Sequence, residues 1–147
     1  MSRRLAREMA LQTLFQMEFS SIGPKAAFAA VRKEYADNME ESSVDYATSL
    51  VTGVSRRRKA LTGLVAKYAK GWDVLRIANV DMTILRICIY EIYFSRERID
   101  TGIAINEAVE IAKIYGDNDS PRFINGILGN MVKTLDMKKA CADVPGD

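Results

Sequence analysis

The segment of residues 79–95, NVDMTILRICIYEIYFS, restricts the fold of this chain more than any other. Read as a helix it is apolar on almost every side, and its charged residues Asp81, Arg86 and Glu91 form no stripe. A helix without a polar face must be enclosed by protein or by lipid. Its three charges suit a membrane span poorly, since a span needs roughly 20 mostly uncharged residues. We therefore expect the central helix of a protein core.

Helical patterns recur along the rest of the chain, and no stretch alternates strictly as a half-buried strand would. A short amphipathic turn at about residues 74–77 leads into the central segment. Five further stretches show the apolar spacing of helices: about residues 3–19, 24–35, 42–69, 103–115 and 121–135. Six or seven helices and no sheet predict an all-α fold, a compact helical bundle.

Glycines and capping residues refine these boundaries. Gly53 and Gly63 each cost the long third helix about 1 kcal/mol relative to alanine, which close helix packing would explain. Gly116 is expected to take a left-handed conformation at the end of its helix. Ser120 is expected to cap the last helix, with Pro121 in its first turn.

Composition limits the classes of function. The chain has 147 residues and a net charge of only +2, so an affinity for nucleic acid would have to come from clustered charge. Histidine is absent, which excludes the usual zinc sites and histidine-based catalytic triads. Cys88 in the apolar segment and Cys141 in the polar tail do not suggest a disulfide framework. The N-terminus has arginines but no apolar run, so we expect no signal peptide and a cytoplasmic protein.

Three arginines open the first helix. Arg3, Arg4 and Arg7 fall within an arc of roughly 100° on the helical wheel, on the side that Leu5 and Met9 leave free. Cations at a helix N-terminus oppose the helix dipole, so helix stability does not explain them. Arginine forks match phosphate oxygens, which favours a phosphate-binding role. The alternative is a solvated basic turn.

Other polar clusters carry weaker signals. The basic run of residues 56–59 points in every direction and cannot form one patch. Phe123 beside Arg122 is typical of a base-stacking position but equally of a core residue. Arg86 is interpreted as structural, with Glu107 and Glu110 as candidate counter-ions. No nucleophile with a base, no glycine-rich phosphate loop and no metal-spaced cluster is recognisable.

Several segments together resemble the NusB family. They lie in order along nearly the whole chain, from about residue 3 to residue 135. The matching segments are 3–8 (RRLARE), 10–15 (ALQTLF), 80–86 (VDMTILR), 103–113 (IAINEAVEIAK) and 120–128 (SPRFINGIL).

The resemblance implies an all-α fold of two packed helical subdomains, about residues 1–70 and 71–140, followed by a polar tail at 141–147. It implies an RNA-binding transcription antitermination factor without catalytic activity or cofactor. Such proteins bind the single-stranded boxA element of nascent RNA, typically with ribosomal protein NusE. The complex joins RNA polymerase and other Nus factors and supports the synthesis of ribosomal RNA.

The resemblance also implies roles for particular residues. Asp81 falls where the family meets NusE. Two groups match RNA-contacting positions: the arginines Arg3, Arg4 and Arg7, and, at the start of the last helix, Asp119, Arg122 and Phe123.

Three departures suggest a weak RNA affinity for the isolated chain and a strong dependence on the partner. The basic N-terminus is short, Phe15 stands where a tyrosine is frequent, and Gly129 replaces a common aspartate. Two alternatives stay open. One is the related helical domain of ribosomal-RNA cytosine methyltransferases, although we expect no cofactor-binding domain in these 147 residues. The other is a helical protein-interaction module, such as a homodimer, without direct RNA binding.

Overall fold

The computed structural model describes residues 3–35, 39–97 and 99–135, and no residue in these ranges belongs to a strand. This confirms the predicted all-α fold. A 3₁₀ turn, Val74–Arg76, precedes the fifth helix, and a π-helical turn, Tyr90–Phe94, continues it. The described ranges contain seven α-helices: α1 (Arg3–Met17), α2 (Pro24–Arg32), α3 (Glu41–Arg56), α4 (Arg58–Tyr68), α5 (Asn79–Ile89), α6 (Thr101–Tyr115) and α7 (Ser120–Thr134).

Helix α5 lies at the centre, as its all-round apolar sequence predicts. Every residue from Asp81 to Ile89 is buried, and the helix contacts α1, α3, α4, α6 and α7. One hydrophobic core runs continuously from Ala10 to Leu135 through all of these contacts. The proposed division into subdomains near residue 70 stays a prediction, and the 141–147 tail lies outside the described residues.

The expected long helix over residues 42–69 is wrong, because the chain forms two helices that meet at Arg57. The backbone of Arg57, with φ −105° and ψ 17°, leaves the helical conformation. Helix α3 packs mainly on α1, whereas α4 packs on α5 and α7. One straight helix could not follow both directions, so tertiary packing overrides the continuous apolar pattern.

Close helix packing explains only one of the two glycines that were expected to need it. Gly53 lies against the ring of Tyr90, and a Cβ atom there would overlap the ring, which confirms close packing at this position. Gly63 has open space around its Cα, so packing does not explain it. Gly116 is not left-handed, since its φ is −92°. The left-handed glycine is Gly71, with φ 83°, just after α4.

Arg86 is structural, but the predicted counter-ions are wrong. Its guanidinium lies 2.8 Å from Glu18 and also donates to the hydroxyl of Thr62 at 3.0 Å. Arg58 binds the same carboxylate. Burial opposes the charged form of Glu18, but the hydrogen bonds from the two arginines outweigh it and lower the pKa of this carboxyl.

Candidate nucleic-acid interface

The two outer arginines of α1 are each held by a glutamate. Arg3 lies 2.6 Å from Glu97, and Arg4 makes two hydrogen bonds of 2.6 and 2.8 Å to Glu107. The side chain of Arg3 is 28% exposed and that of Arg4 39%, so a ligand could reach both from solvent. Their positive charges are nevertheless already compensated within the fold.

Arg7 is buried, so the expectation that it shares the solvent side of α1 is wrong. Only 4% of the residue is exposed. Its guanidinium lies 2.9 Å from Glu91 and 3.2 Å from Glu107, and the hydroxyl of Tyr46 also donates to Glu91. Burial is the largest single influence and disfavours the cation, but the hydrogen bonds that Arg7 donates to Glu91, together with the negative charges around it, outweigh burial and raise the pKa of Arg7. The charge therefore joins α1 to the π-helical turn and to α6.

We call these ion pairs the arginine–glutamate network. The hydrogen bond from Arg4 lowers the pKa of Glu107, with Arg7 contributing as well. Removing one partner of the network would destabilise the packing of α1, because an unpaired buried charge is far more costly than a paired one. It comprises Arg3, Arg4, Arg7, Tyr46, Glu91, Glu97 and Glu107.

The second predicted group lies at the start of α7. Asp119 and Arg122 are exposed and Phe123 is half-buried. Among the described residues, no carboxylate forms an ion pair with Arg122. Within this part of the chain, no carboxylate competes with a phosphate for this cation.

The turn before α7 is held by Asp117. Its carboxylate accepts hydrogen bonds from the backbone nitrogens of Asp119, at 2.9 Å, and Ser120, at 3.1 Å. Ser120 is therefore the first buried residue of the helix rather than its cap, which corrects the predicted boundary. The capped turn fixes where Arg122 and Phe123 begin on the helix.

The sequence interpretation missed Trp72, which packs against Phe123. The two ring centroids are 4.9 Å apart and the planes meet at 70°, an edge-to-face contact. Trp72 is 61% exposed. The signal was present, because a large aromatic residue in a Gly-Trp-Asp turn between two helices has no apolar stripe to join.

The aromatic pair separates two grooves of opposite charge. The cationic groove, about 470 Å³, is lined by Lys70 and Arg122 with the single carboxylate of Asp119. The acidic groove, about 230 Å³, is lined by Arg76 and by three carboxylates. These carboxylates belong to Asp81, Asp117 and Asp119.

Asp81 lies at the floor of the acidic groove. It is 7% exposed, and within residues 3–35, 39–97 and 99–135 its Oδ1 has no hydrogen-bond partner. Burial raises the pKa of Asp81, a hydrogen bond from Ser120 opposes this, and the charge of Asp117 adds to it. A buried acceptor without a partner is costly, so this atom favours a donor supplied from outside.

The described residues include neither a membrane-spanning helix nor a metal-binding cluster. None of the described helices combines the length and apolar character that crossing a bilayer requires. No group of three or more histidine, cysteine, aspartate or glutamate residues in this part of the chain is arranged to hold a metal ion. The described cysteine, Cys88, is buried, and Cys141 lies outside the described residues.

Comparison with known proteins gives consistent results. The family model described as the NusB family matches residues 4–133. The transcription antitermination protein NusB of Symbiobacterium thermophilum is 45% identical, over 92% of each chain. The solved structure of T. maritima NusB superposes with a TM-score of 0.83 and 28% identity, covering 95% of this chain and 96% of that one. A solved complex of NusB and NusE with double-stranded RNA matches with a TM-score of 0.78 over 90% and 97%; at 24% identity it shows the fold alone.

Proposed function

The chain belongs to the NusB family, whose curated relatives are transcription antitermination proteins, and we propose that it binds the single-stranded boxA element of nascent RNA together with ribosomal protein NusE. The observation that carries this proposal is Arg122, which has no ion pair among the described residues, beside Phe123 at the edge of an open cationic groove. Cations next to exposed aromatic rings suit single-stranded nucleic acid, whose phosphates and unstacked bases alternate.

At the start of α7 each predicted residue has a distinct role. Arg122 binds a phosphate of the RNA, since its guanidinium can offer two parallel donors. Phe123 stacks on an unpaired base. The exposed carboxylate of Asp119 accepts a hydrogen bond from a base amino group, which contributes sequence preference.

On α1, Arg3 and Arg4 extend the RNA path as phosphate contacts. Each arginine would have to give up its ion pair with a glutamate to bind a phosphate, which reduces the free energy gained on RNA binding. Arg7 acts as a positioning residue, because it holds α1 in place from the interior. If about three phosphates are neutralised, the log–log salt slope for single-stranded RNA is near −2.

NusE binds on the acidic side. A solved NusB is found with NusE and RNA, and we transfer the partner to this chain as part of the proposal. The Oδ1 of Asp81, which no described residue satisfies, supports it, since a lysine, arginine or backbone N–H of the partner would satisfy this buried acceptor. Through NusE the complex would join RNA polymerase and other Nus factors in the cytoplasm. No catalytic step and no cofactor are part of this proposal.

The decisive experiment is a titration with labelled boxA RNA and a scrambled RNA, each with and without NusE. We expect boxA to bind more tightly than the control and NusE to increase this difference. Arg122→Ala should weaken binding, whereas Lys59→Ala, which removes an exposed cation from the basic run on α4, should change it little. Equal affinity for boxA and scrambled RNA in the presence of NusE would overturn the proposal. Light scattering of the free chain would then test the homodimer alternative.

A further inference from the structure

We propose that Trp72 is a base-stacking residue of this protein: one face of its indole holds an unpaired RNA base in the cationic groove, next to the base on Phe123. This inference rests on the proposed function and adds a residue that neither the sequence motifs nor the comparisons assign. It identifies the cationic groove as the route of the RNA beyond Phe123.

The local backbone holds Trp72 in a fixed position. Gly71, with its left-handed φ of 83°, turns the chain sharply after α4, and the backbone nitrogen of Trp72 donates to the carbonyl of Ala69 at 3.1 Å. On the other side, the carboxylate of Asp73 accepts from the backbone nitrogen of Leu75 at 3.0 Å. Trp72 therefore stands between two fixed turns, so little conformational entropy would be lost on binding.

The ring has a free surface for a ligand. Its contact with Phe123 is edge-to-face, which leaves indole face uncovered, and 61% of the residue is exposed. An isolated exposed aromatic residue is unremarkable, but two aromatic residues in contact, next to an open groove of about 470 Å³, form a stacking platform. Stacking on aromatic rings is the usual way in which proteins hold single-stranded RNA.

The charges on the two sides of Trp72 favour RNA binding in the cationic groove over the acidic groove. Lys70 and Arg122 line the cationic groove and can bind the phosphates on either side of a stacked base. The acidic groove on the opposite side is lined by three carboxylates and one arginine, so its net negative charge would repel a phosphate. Asp119 borders both grooves, but it is the single carboxylate of the cationic groove. RNA therefore follows the cationic groove, and the acidic groove remains for a protein partner.

Trp72 is the only tryptophan of the chain, so its fluorescence reports on this one position. Titration of the full chain with boxA RNA should quench its emission in step with binding measured on labelled RNA. Since Trp72 also borders the acidic groove, the same RNA-dependent quenching should be measured in the free chain and in the chain already saturated with NusE. An emission change that follows NusE but not RNA would overturn the proposal and assign Trp72 to the protein interface.

The affinity of Trp72 variants for boxA RNA tests the stacking role of Trp72 independently. Trp72→Ala should weaken boxA binding about 5- to 150-fold, the range expected for one stacked base. Trp72→Phe should recover most of that loss because it keeps an aromatic face. The log–log salt slope should stay the same in Trp72→Ala, since stacking releases no counterions, whereas Arg122→Ala should reduce it by about 0.7.

Phe19 provides the matched control. It is 66% exposed and makes a similar edge-to-face contact with Phe15, at 5.0 Å, on α1 and the residues that follow it. Phe19→Ala should leave RNA affinity unchanged. If Arg122→Ala weakens binding while Trp72→Ala, with an unchanged thermal transition, does not, this inference fails and the proposed function stands. If the unaltered chain binds no boxA RNA even with NusE, both fail.

Discussion

The two ends of the proposed RNA interface use arginine in opposite ways. At the start of α1, the guanidinium groups of Arg3, Arg4 and Arg7 all lie within 3.2 Å of glutamate oxygens. At the start of α7, Arg122 has no such partner among the described residues and adjoins an open groove. The first cluster is the more basic in sequence, yet much of its charge already serves the fold. The number of basic residues is therefore a poor guide to the charge available for RNA.

The largest expected effect is a difference in the free energy of unfolding between a substitution on α1 and one on α7. Arg7→Ala leaves the carboxylate of Glu91 buried without its cation, and breaking a buried pair in this way costs about 3–5 kcal/mol. Arg122→Ala removes an exposed side chain and should change the free energy of unfolding by no more than about 0.5 kcal/mol. Urea denaturation of both variants measures the difference. Similar losses in the two variants would show that Arg7 does not hold the fold.

Phe123→Leu tests the other end by affinity. The leucine keeps apolar volume against the core, so the stability loss should stay below about 1.5 kcal/mol. Loss of the aromatic face should weaken boxA binding by about 1–3 kcal/mol. Fluorescence anisotropy of labelled RNA gives the affinity, and a thermal melt gives the stability. Unchanged affinity with a lowered melting temperature would make Phe123 a core residue only.

The central part of the fold could be predicted from the sequence because its signal is local. Helix α5 is apolar all round, so its burial follows without knowledge of any neighbour. The split at Arg57 could not be predicted, since both halves keep helical spacing and only the packing of α3 and α4 on different helices separates them.

The site could be predicted only where exposure follows from local sequence. Arg122 lies in the first turn of a capped helix, and its exposure agrees with the expected role. For Arg7 the helical wheel gives a direction but not the neighbour in that direction. Its partners Glu91 and Glu107 are 84 and 100 residues away in sequence. The contact between Trp72 and Phe123 could not be predicted either, because these two residues are also distant in sequence.

The third prediction concerns Asp81, which lies in the acidic groove next to the start of α7. Asp81→Asn removes a buried charge and should stabilise the isolated chain at neutral pH, while weakening its binding to NusE. Because the pKa of Asp81 is raised in the folded state, its contribution to stability is fully present below the ordinary aspartate pKa and is lost as pH rises through the folded value. The advantage of the variant should therefore grow as pH rises from about 4.

Thermal melts across this pH range, and a NusE titration at neutral pH, measure the two effects of Asp81→Asn. Asp117→Asn is unsuitable as a control because it would also disturb the turn before α7. Asp45→Asn, an exposed position on α3, is suitable. If the variant is less stable than the unaltered chain at neutral pH, the charge of Asp81 does not destabilise the free chain, and this prediction is wrong.

The smallest expected effect tests whether the arginine–glutamate network restrains RNA binding. Glu97→Gln weakens the ion pair with Arg3 at a largely exposed position, where such a pair contributes about 0.2–1 kcal/mol. RNA affinity should therefore rise about 1.4- to fivefold, because Arg3 no longer has to leave a carboxylate. Glu34→Gln, which makes the same change of charge at an exposed position after α2, corrects for the general gain in net charge. Equal gains in the two variants would mean that Glu97 does not compete with phosphate for Arg3. A larger gain in Glu97→Gln would show that the α1 end is limited by the glutamates that pair with its arginines rather than by a shortage of arginines.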